Sequence, residues 1–231
     1  MLTSPRATAR VAGLFYLLMM LVGGVAAFAR KDLVVTGDAA ATATAIVAHQ
    51  SAFIVSFAGE IFVTALYLVV VALLYRLLKP VNPGVALVDS FFGLTGCIVQ
   101  ASATAFMIAP LAILGHADYL NVFSGSQLNA MSYMFLRLYS QMYGIAIIFF
   151  AFYCLIAGYL IYKSTFLPRI IGVLLMIAGA AWLTFLSPPF GAAYLRPYIL
   201  PFAFGELVLT LWLLVKGVDA ERWKASALSS A

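Results

Sequence analysis

The chain has 231 residues, of which 65% are hydrophobic and only 9% are charged. A soluble globular domain carries roughly 25% charged residues, so this composition excludes an ordinary soluble enzyme or binding domain. The net charge of +5 does not indicate nucleic-acid binding, because the Lys and Arg residues lie at the ends of apolar runs and form no basic stripe. The sequence therefore predicts a multi-pass membrane protein that has the lipid bilayer as its partner.

Six apolar runs are long enough to cross a bilayer as helices, each of which needs about 20 residues. None of them alternates with the period of two that is typical of a membrane β-strand. We therefore expect an all-α, polytopic membrane helix bundle in one transmembrane domain, with a short cytoplasmic tail at 219–231. The predicted spans are 11–29, 52–78, 85–114, 131–162, 167–186 and 197–215, and the prolines at 188 and 189 end the fifth.

The distribution of positive charge predicts the orientation of these spans. With the N-terminus in the cytoplasm, nine Lys and Arg residues lie inside, three lie outside and Arg137 lies within a span, which accounts for all 13. Cytoplasmic loops of membrane proteins carry the excess of positive charge. We therefore predict that both termini are cytoplasmic.

The links on the outer side contain two patterns that are typical of helix starts. Asp38 precedes an alanine-rich stretch that runs to His49, and an Asp in this position caps a helix through its carboxylate. Ser124 is followed three residues later by Gln127, which is the spacing of a capping box. We expect a short helix after Asp38 and the start of the fourth membrane helix after Ser124.

Two pairs of spans have similar sequences. The first and fifth begin with Arg-Val-Ala-Gly at 10–13 and Arg-Ile-Ile-Gly at 169–172. The second and sixth each contain Gly-Glu with a Thr four residues after the Glu, at 59–64 and 205–210. Parallel internal repeats occur in transporters. The pattern is explained either by a parallel repeat of hairpins 1–2 and 5–6 or by chance similarity between apolar helices.

Three charged side chains lie inside the predicted spans, namely Glu60, Arg137 and Glu206. A charge at membrane depth costs a few kcal/mol by insertion scales, so it normally faces a partner or a water-filled cavity. Counted from the outer ends of their spans, all three lie roughly 9–14 Å deep, and we expect them to meet. Two carboxylates beside one guanidinium leave an excess negative charge, which suits a bound proton or a bound cation.

Further polar residues follow these charges at helical spacing, which places them on the same helix faces. The functional interpretation is an outward-facing polar pocket, and the alternative is a structural ion-pair cluster that fixes helix packing. The candidate pocket residues are Glu60, Arg137, Glu206, Gln141, Gln100, Thr64, Thr210 and Tyr67.

The remaining acidic and sulfur-containing side chains within the spans fit structural roles. Asp89 lies near the cytoplasmic start of the third span, where we expect it to cap the helix or to pair with Lys79 or Arg76. Cys97 and Cys154 lie deep in apolar runs without a metal-binding or redox motif, so both are interpreted as buried apolar residues.

Signatures of metal, cofactor or enzyme chemistry are missing from the sequence. His116 has Asp118 nearby, but the other histidine, His49, is distant in sequence, so we predict no metal. The chain contains no HExxH, GxSxG, DDxxD, Walker A or Rossmann motif. We therefore predict no cofactor and favour a protein that is not an enzyme.

A family resemblance is carried by the segments at 37–42, 77–82, 158–174 and 205–218, and the run Phe-Leu-Pro-Arg-Ile at 166–170 is its most specific part. On these residues the chain resembles a bacterial family of integral membrane proteins, domain of unknown function 4386, over about 10–218. The resemblance implies a multi-pass protein of the bacterial cytoplasmic (inner) membrane and adds no substrate. Members often carry His in the fourth span, where this chain has Tyr139 to Gly144 and Phe152 to Cys154, which argues against His-based chemistry.

Three functions remain open at this point. The leading hypothesis is a small-molecule or proton-linked transporter, or a ligand-binding membrane protein, with a small-molecule ligand in the polar pocket. The second is a membrane-embedded enzyme that acts on a lipid-like substrate, which needs a groove open to lipid beside Glu60 or Arg137. The third is a structural or accessory subunit, which needs a fully packed charge cluster.

Overall fold

The computed structural model describes residues 4–115, 117–186 and 204–229, and all regular structure in these ranges is helical. This result confirms the predicted all-α helix bundle. The helices are α1 (Pro5–Arg30), α2 (Ala39–Ala48), α3 (Gln50–Leu78), α4 (Pro83–Leu114), α5 (Gly125–Lys163), α6 (Arg169–Trp182), α7 (Phe204–Val215) and α8 (Ala220–Ser229). Short 3₁₀ turns cover Asp118–Leu120 and Leu183–Leu186.

Five helical segments of the described chain are long and apolar enough to cross a membrane: α1, α3, α4, α5, and α6 together with the 3₁₀ turn that follows it. They end within one residue of the predicted spans, although α1 and α5 begin earlier than predicted. Of the predicted sixth span, 197–203 lie outside the described residues, as do the prolines at 188 and 189. Its described part is α7, an apolar helix of 12 residues.

Local sequence signals explain where these helices begin. The Asp38 carboxylate accepts a hydrogen bond from the Ala41 amide at 2.8 Å, which confirms the predicted capped helix α2. At the start of α5, the Ser124 amide donates to Gln127 Oε1 at 2.8 Å and the Gln127 amide donates to Ser124 Oγ at 3.3 Å. These two reciprocal bonds form a capping box, as predicted.

Asn82, and not Asp89, caps α4. The Asn82 side chain accepts a hydrogen bond from the Val85 amide at 3.0 Å, and Pro83 occupies the first helical position, where its missing N–H costs nothing. Asp89 lies more than one turn inside the helix, so it is too far from the free N–H groups to cap them. The predicted capping role of Asp89 was wrong.

The described chain divides into two compact units. Unit 1 contains the described residues of Met1–Leu18, Ala65–Cys97 and Gly144–Ala231, and unit 2 contains Met19–Thr64 and Ile98–Tyr143. Unit 2 has an apolar core to which α2, α3, α4 and α5 contribute, formed by Leu33, Ile46, Phe53, Ala103, Met107, Leu136 and Tyr139. Unit 1 has an aromatic interior that includes Tyr16, Tyr67, Phe150 and Tyr153.

Candidate functional sites

The main charged contact of unit 2 joins the last residue of α1 to the middle of α3. Arg30 Nη2 lies 3.1 Å from Glu60 Oε1, and Arg30 Nη1 donates to the same oxygen at 3.2 Å. Nη1 also lies 3.1 Å from the hydroxyl of Ser56, one turn before Glu60 on α3. The side chains of Arg30 and Glu60 are 22% and 8% exposed, so the pair is largely but not completely buried.

Side chains from α4 and α5 complete the surroundings of this pair. Gln100 on α4 donates from Nε2 to Glu60 Oε2 at 3.4 Å, and the sulfur of Met107 lies 3.5 Å from Arg30 Nη1. The ring of Tyr139 on α5 lies against the guanidinium, with its centroid 5.2 Å from Arg30 Cζ, which is cation–π geometry. We call these residues, with Ser56, the Arg30 site.

Two hydroxyls on α5 are buried. They are the phenol of Tyr139, which is 7% exposed and has the carboxylate of Glu60 as a neighbour, and the hydroxyl of Ser132, which is 1% exposed. Both residues belong to the inward-facing side of α5, together with Leu136. The Ser132 hydroxyl has no hydrogen-bond partner among the described residues, and a buried polar group without a partner costs about 1–3 kcal/mol, so it would gain from an incoming polar group.

Glu206 lies in unit 1, in the first turn of α7, with different partners. Its Oε2 accepts a hydrogen bond from the phenol of Tyr16 at 2.9 Å, and its Oε1 accepts one from Nε1 of Trp182 at 2.9 Å. Glu206 is partly buried, and no cation of the described residues is paired with it. We call these three residues the Glu206 site.

The hydrogen bonds of the Glu206 site fit both charge states of its carboxyl group. The indole of Trp182 can only donate, so Oε1 is an acceptor in either state. The hydroxyl of Tyr16 can donate to a carboxylate or accept a proton from a carboxylic acid. Both charge states of Glu206 can therefore keep these two hydrogen bonds, with only the hydroxyl hydrogen of Tyr16 reoriented.

Tyr67 packs beside Tyr16 in unit 1. Its ring centroid lies 6.0 Å from that of Tyr16 and 4.5 Å from that of Phe150, and it meets Tyr153 edge to face at 6.0 Å. Tyr67 is buried, as expected for the inward face of α3, but these aromatic rings are its neighbours. It belongs to the aromatic surroundings of Tyr16.

Arg137 and Gln141 do not join Glu60 in unit 2. Both side chains are exposed, and Arg137 forms no ion pair with a described residue. The buried side of α5 carries Ser132, Leu136 and Tyr139, and at 100° per residue Arg137 lies on the opposite side from Tyr139. The predicted meeting of Arg137 with Glu60 was therefore wrong, and its meeting with Glu206, which belongs to unit 1, stays a prediction.

The two Gly-Glu segments share a local geometry. Thr64 Oγ1 donates to the Glu60 carbonyl at 2.9 Å, and Thr210 Oγ1 donates to the Glu206 carbonyl at 2.8 Å. The glycine before each Glu lies where another helix passes closely. A Cβ on Gly59 would lie 2.7 Å from the Cβ of Ala26 on α1, and a Cβ on Gly205 would overlap a backbone carbonyl group of α6. The motif is thus repeated locally, while the repeat of whole hairpins remains a prediction.

Asp89 is buried in unit 1. It is 1% exposed, its Oδ1 has no hydrogen-bond partner among the described residues, and it forms no ion pair with Lys79. Cys97 and Cys154 are buried, as predicted, and form no disulfide, but the Cys154 thiol also contacts the carboxyl group of Glu206. His116 lies outside the described residues, and His49 ends α2.

Several residues of the two sites are not among the candidates from the sequence, and Arg30, Tyr16 and Trp182 are the hydrogen-bonding partners of the two glutamates among them. Arg30 directly follows an apolar run, which predicts that it lies in an outer loop. The available signal was position, because each of the three lies in, or directly after, a span that the predicted hairpins pair with a span containing a glutamate. That signal gives no helix register, so it does not select these residues over their neighbours.

Comparison with known proteins identifies the family of the chain. The model for Domain of unknown function (DUF4386) matches residues 11–217. A protein of the archaeon Archaeoglobus fulgidus, described as an uncharacterized protein, is 24% identical over 164 residues, which cover 71% of this chain and 85% of the relative. No solved structure matches the chain. With apolar helices long enough to cross a membrane, this multi-pass membrane protein belongs to the DUF4386 family.

Proposed function

We propose that this protein is a transporter of the cytoplasmic membrane that binds a small, acceptor-rich polar molecule at the Arg30 site. The observation that carries the proposal is a partly open guanidinium–carboxylate pair with the buried ring of Tyr139 lying against the guanidinium. Charges at membrane depth are costly and typically mark a substrate or ion pathway.

The chemistry of the site supports a carboxylate-bearing ligand. A guanidinium has five N–H donors, and the bonds to Glu60 and Ser56 leave some of them for another acceptor. A carboxylate fits the planar donor array of an Arg in two-point fashion. The hydroxyls of Tyr139 and Ser132, both buried on the inward-facing side of α5, are the natural further donors.

A ligand-binding experiment tests this proposal directly. The purified protein is screened by thermal unfolding against the common amino acids and short mono- and dicarboxylates, and each hit is tested for uptake into proteoliposomes. Tyr139→Phe and Ser132→Ala each remove one buried hydroxyl and keep the apolar part of the side chain, so we expect folding to be preserved and the ligand-induced rise in Tm to be reduced.

Tyr133→Phe is the matched control for this experiment. Its hydroxyl is already engaged, because it accepts a hydrogen bond from the Gly37 amide at 2.8 Å. We expect this variant to lose stability but to keep its response to the ligand. A ligand response that survives both Tyr139→Phe and Ser132→Ala, or a screen in which no compound acts on the wild type, rejects the Arg30 site.

We propose further that transport is linked to a proton on Glu206. Support comes from the hydrogen bonds of Tyr16 and Trp182, which suit the carboxylate and the carboxylic acid equally. In Glu206→Gln the amide oxygen accepts from Trp182 and the amide nitrogen donates to Tyr16, so the variant mimics the protonated state. We expect it to fold normally and to lose the pH dependence of uptake. A normal pH profile in Glu206→Gln would count against proton linkage.

A further inference from the structure

The ends of several helices of unit 1 enclose a basic cleft. It has a volume of about 380 Å³ and is lined by the start of α1, the α5–α6 link, the end of α7 and the start of α8. This volume falls within the range of small-molecule binding sites, which is about 300–1,000 Å³. The cations that line it are Arg6, Lys216 and Arg222, and Asp219 is its acidic residue.

Two of the three cations have no acidic partner. Arg222 lies 3.5 Å from Asp219 and donates to the Thr165 carbonyl at 3.3 Å. Arg6 and Lys216 form no ion pair with any described residue. The cleft therefore holds two cations whose charge no described residue neutralises, and an anion is the ligand that complements it.

The backbone gives the cleft a defined wall. The Asp219 amide donates to the Phe166 carbonyl at 3.2 Å, which ties the α7–α8 link to the α5–α6 link. Gly217 turns the chain at the end of α7 with a φ of 70°, and a Cβ there would lie 3.0 Å from Cγ of Arg6. A glycine at this position allows both the turn and the close approach of the Arg6 side chain.

The position of the cleft matches the headgroup layer of a membrane. Its lining comes from helix ends, and α1, α5 and α6 are candidate membrane spans. Trp212 lines it, and Trp223 on the adjoining helix α8 donates to the Leu77 carbonyl at 2.9 Å. Tryptophans of this kind mark the membrane–water boundary. The excess of Lys and Arg in the loops on this side of the spans predicts that it is the cytoplasmic side.

We propose that this cleft binds a phosphate group, supplied by the headgroup of an anionic lipid or by a soluble phosphorylated molecule. Arg6 and Lys216 supply the uncompensated positive charge, and the hydroxyl of Thr165 and the indole of Trp212 are the further donors that line the cleft. This inference is independent of the transport proposal, because it involves neither the Arg30 site nor the Glu206 site.

The test uses the full-length protein in nanodiscs of phosphatidylcholine, with and without phosphatidylglycerol, and measures bound lipid by native mass spectrometry and Tm. We expect phosphatidylglycerol to bind in preference to phosphatidylcholine. Arg6→Gln and Lys216→Gln should each weaken that preference about fivefold, since a cation at the membrane surface contributes about that factor. Lys216→Arg keeps the positive charge, so it should show the same preference for phosphatidylglycerol as the wild type.

The matched control is Lys224→Gln on α8. This lysine is exposed, does not line the cleft and pairs with Glu221 at 3.2 Å, so its replacement removes the same charge elsewhere. A second arm adds glycerol 3-phosphate to nanodiscs of phosphatidylcholine alone. A rise in Tm that Arg6→Gln abolishes identifies a soluble phosphate as the source. The proposal is overturned if Lys224→Gln weakens lipid binding as much as Lys216→Gln does, or if neither phosphate source binds.

Discussion

The contrast between Arg30 and Arg137 gives the sharpest test of the charge arrangement. Arg30→Met keeps the length of the side chain but removes the guanidinium that faces Glu60 at 3.1 Å. This carboxylate then loses its cation and keeps neutral side-chain donors, such as Gln100 at 3.4 Å. Breaking a buried ion pair by removing one partner costs about 3–5 kcal/mol. Because the Arg30 side chain is 22% exposed and water can reach the carboxylate, we expect a loss of roughly 2–3 kcal/mol in the free energy of unfolding.

The double variant separates the ion pair from the packing of each side chain. Arg30→Met together with Glu60→Met removes both charges, and replacing a buried pair by apolar residues is often neutral or stabilising. We therefore expect the double variant to be more stable than Arg30→Met alone, with a coupling of about 1–3 kcal/mol between the two positions. The control is Arg137→Met, which removes an exposed cation with no ion pair among the described residues and should change stability by less than about 0.5 kcal/mol.

Unfolding by SDS in mixed micelles, followed by circular dichroism, gives the free energies for the wild type, Arg30→Met, Glu60→Met, the double variant and Arg137→Met under one set of conditions. The reasoning is refuted if Arg137→Met destabilises the protein more than Arg30→Met does. It is also refuted if the coupling between the positions of Arg30 and Glu60 is below about 0.5 kcal/mol, because contacting residues of one network couple by more than that.

Three further predictions concern local contacts. Gly205→Ala should lower the free energy of unfolding by about 1–3 kcal/mol, because the added methyl group would overlap backbone atoms of α6. Gly24→Ala is the control, because no atom lies within 4 Å of the added methyl group, and thermal unfolding should show it to be neutral or slightly stabilising. Asp38→Ala should cost about 1 kcal/mol through loss of the helix cap, with faster amide exchange confined to the start of α2. Trp182→Phe removes the hydrogen bond from the indole to Glu206 and should lower the free energy of unfolding by about 1.5–3 kcal/mol. In a protein that already carries Glu206→Gln, the acceptor of this bond is a neutral amide, so Trp182→Phe should cost less there.

The sequence predicted the parts of the structure that depend on local chemistry. Apolar runs located the membrane helices, because a span needs about 20 apolar residues and charged ends. The cap at Asp38 and the capping box of Ser124 and Gln127 were predicted because such bonds join residues three positions apart. Burial of Glu60 and Thr64 followed from their shared face of α3.

The inward face of α5 could not be predicted in the same way. In a soluble protein the polar residues of a helix mark its outer side, but in a membrane the lipid-facing side is as apolar as the core. The polar spacing on α5 therefore predicts an interior position for Arg137, whereas Tyr139 and Ser132 face inward in the structure. The length of α5 adds to the error, because 39 residues span about 58 Å, nearly twice the hydrocarbon thickness, so the helix extends beyond the membrane core.

Arg30 was missed because pairing across a hairpin depends on register. The helices α1 and α3 run antiparallel, with Ala26 opposite Gly59. One turn further along α1, Arg30 bonds to Ser56, which lies about one turn before Gly59 on α3. On that register Arg30 lies one turn from Glu60 and reaches it easily. The register is set by the connection between the helices, where α2 inserts ten residues of its own. A charge at the end of a membrane helix should therefore be tested as a partner for any buried charge in the next span.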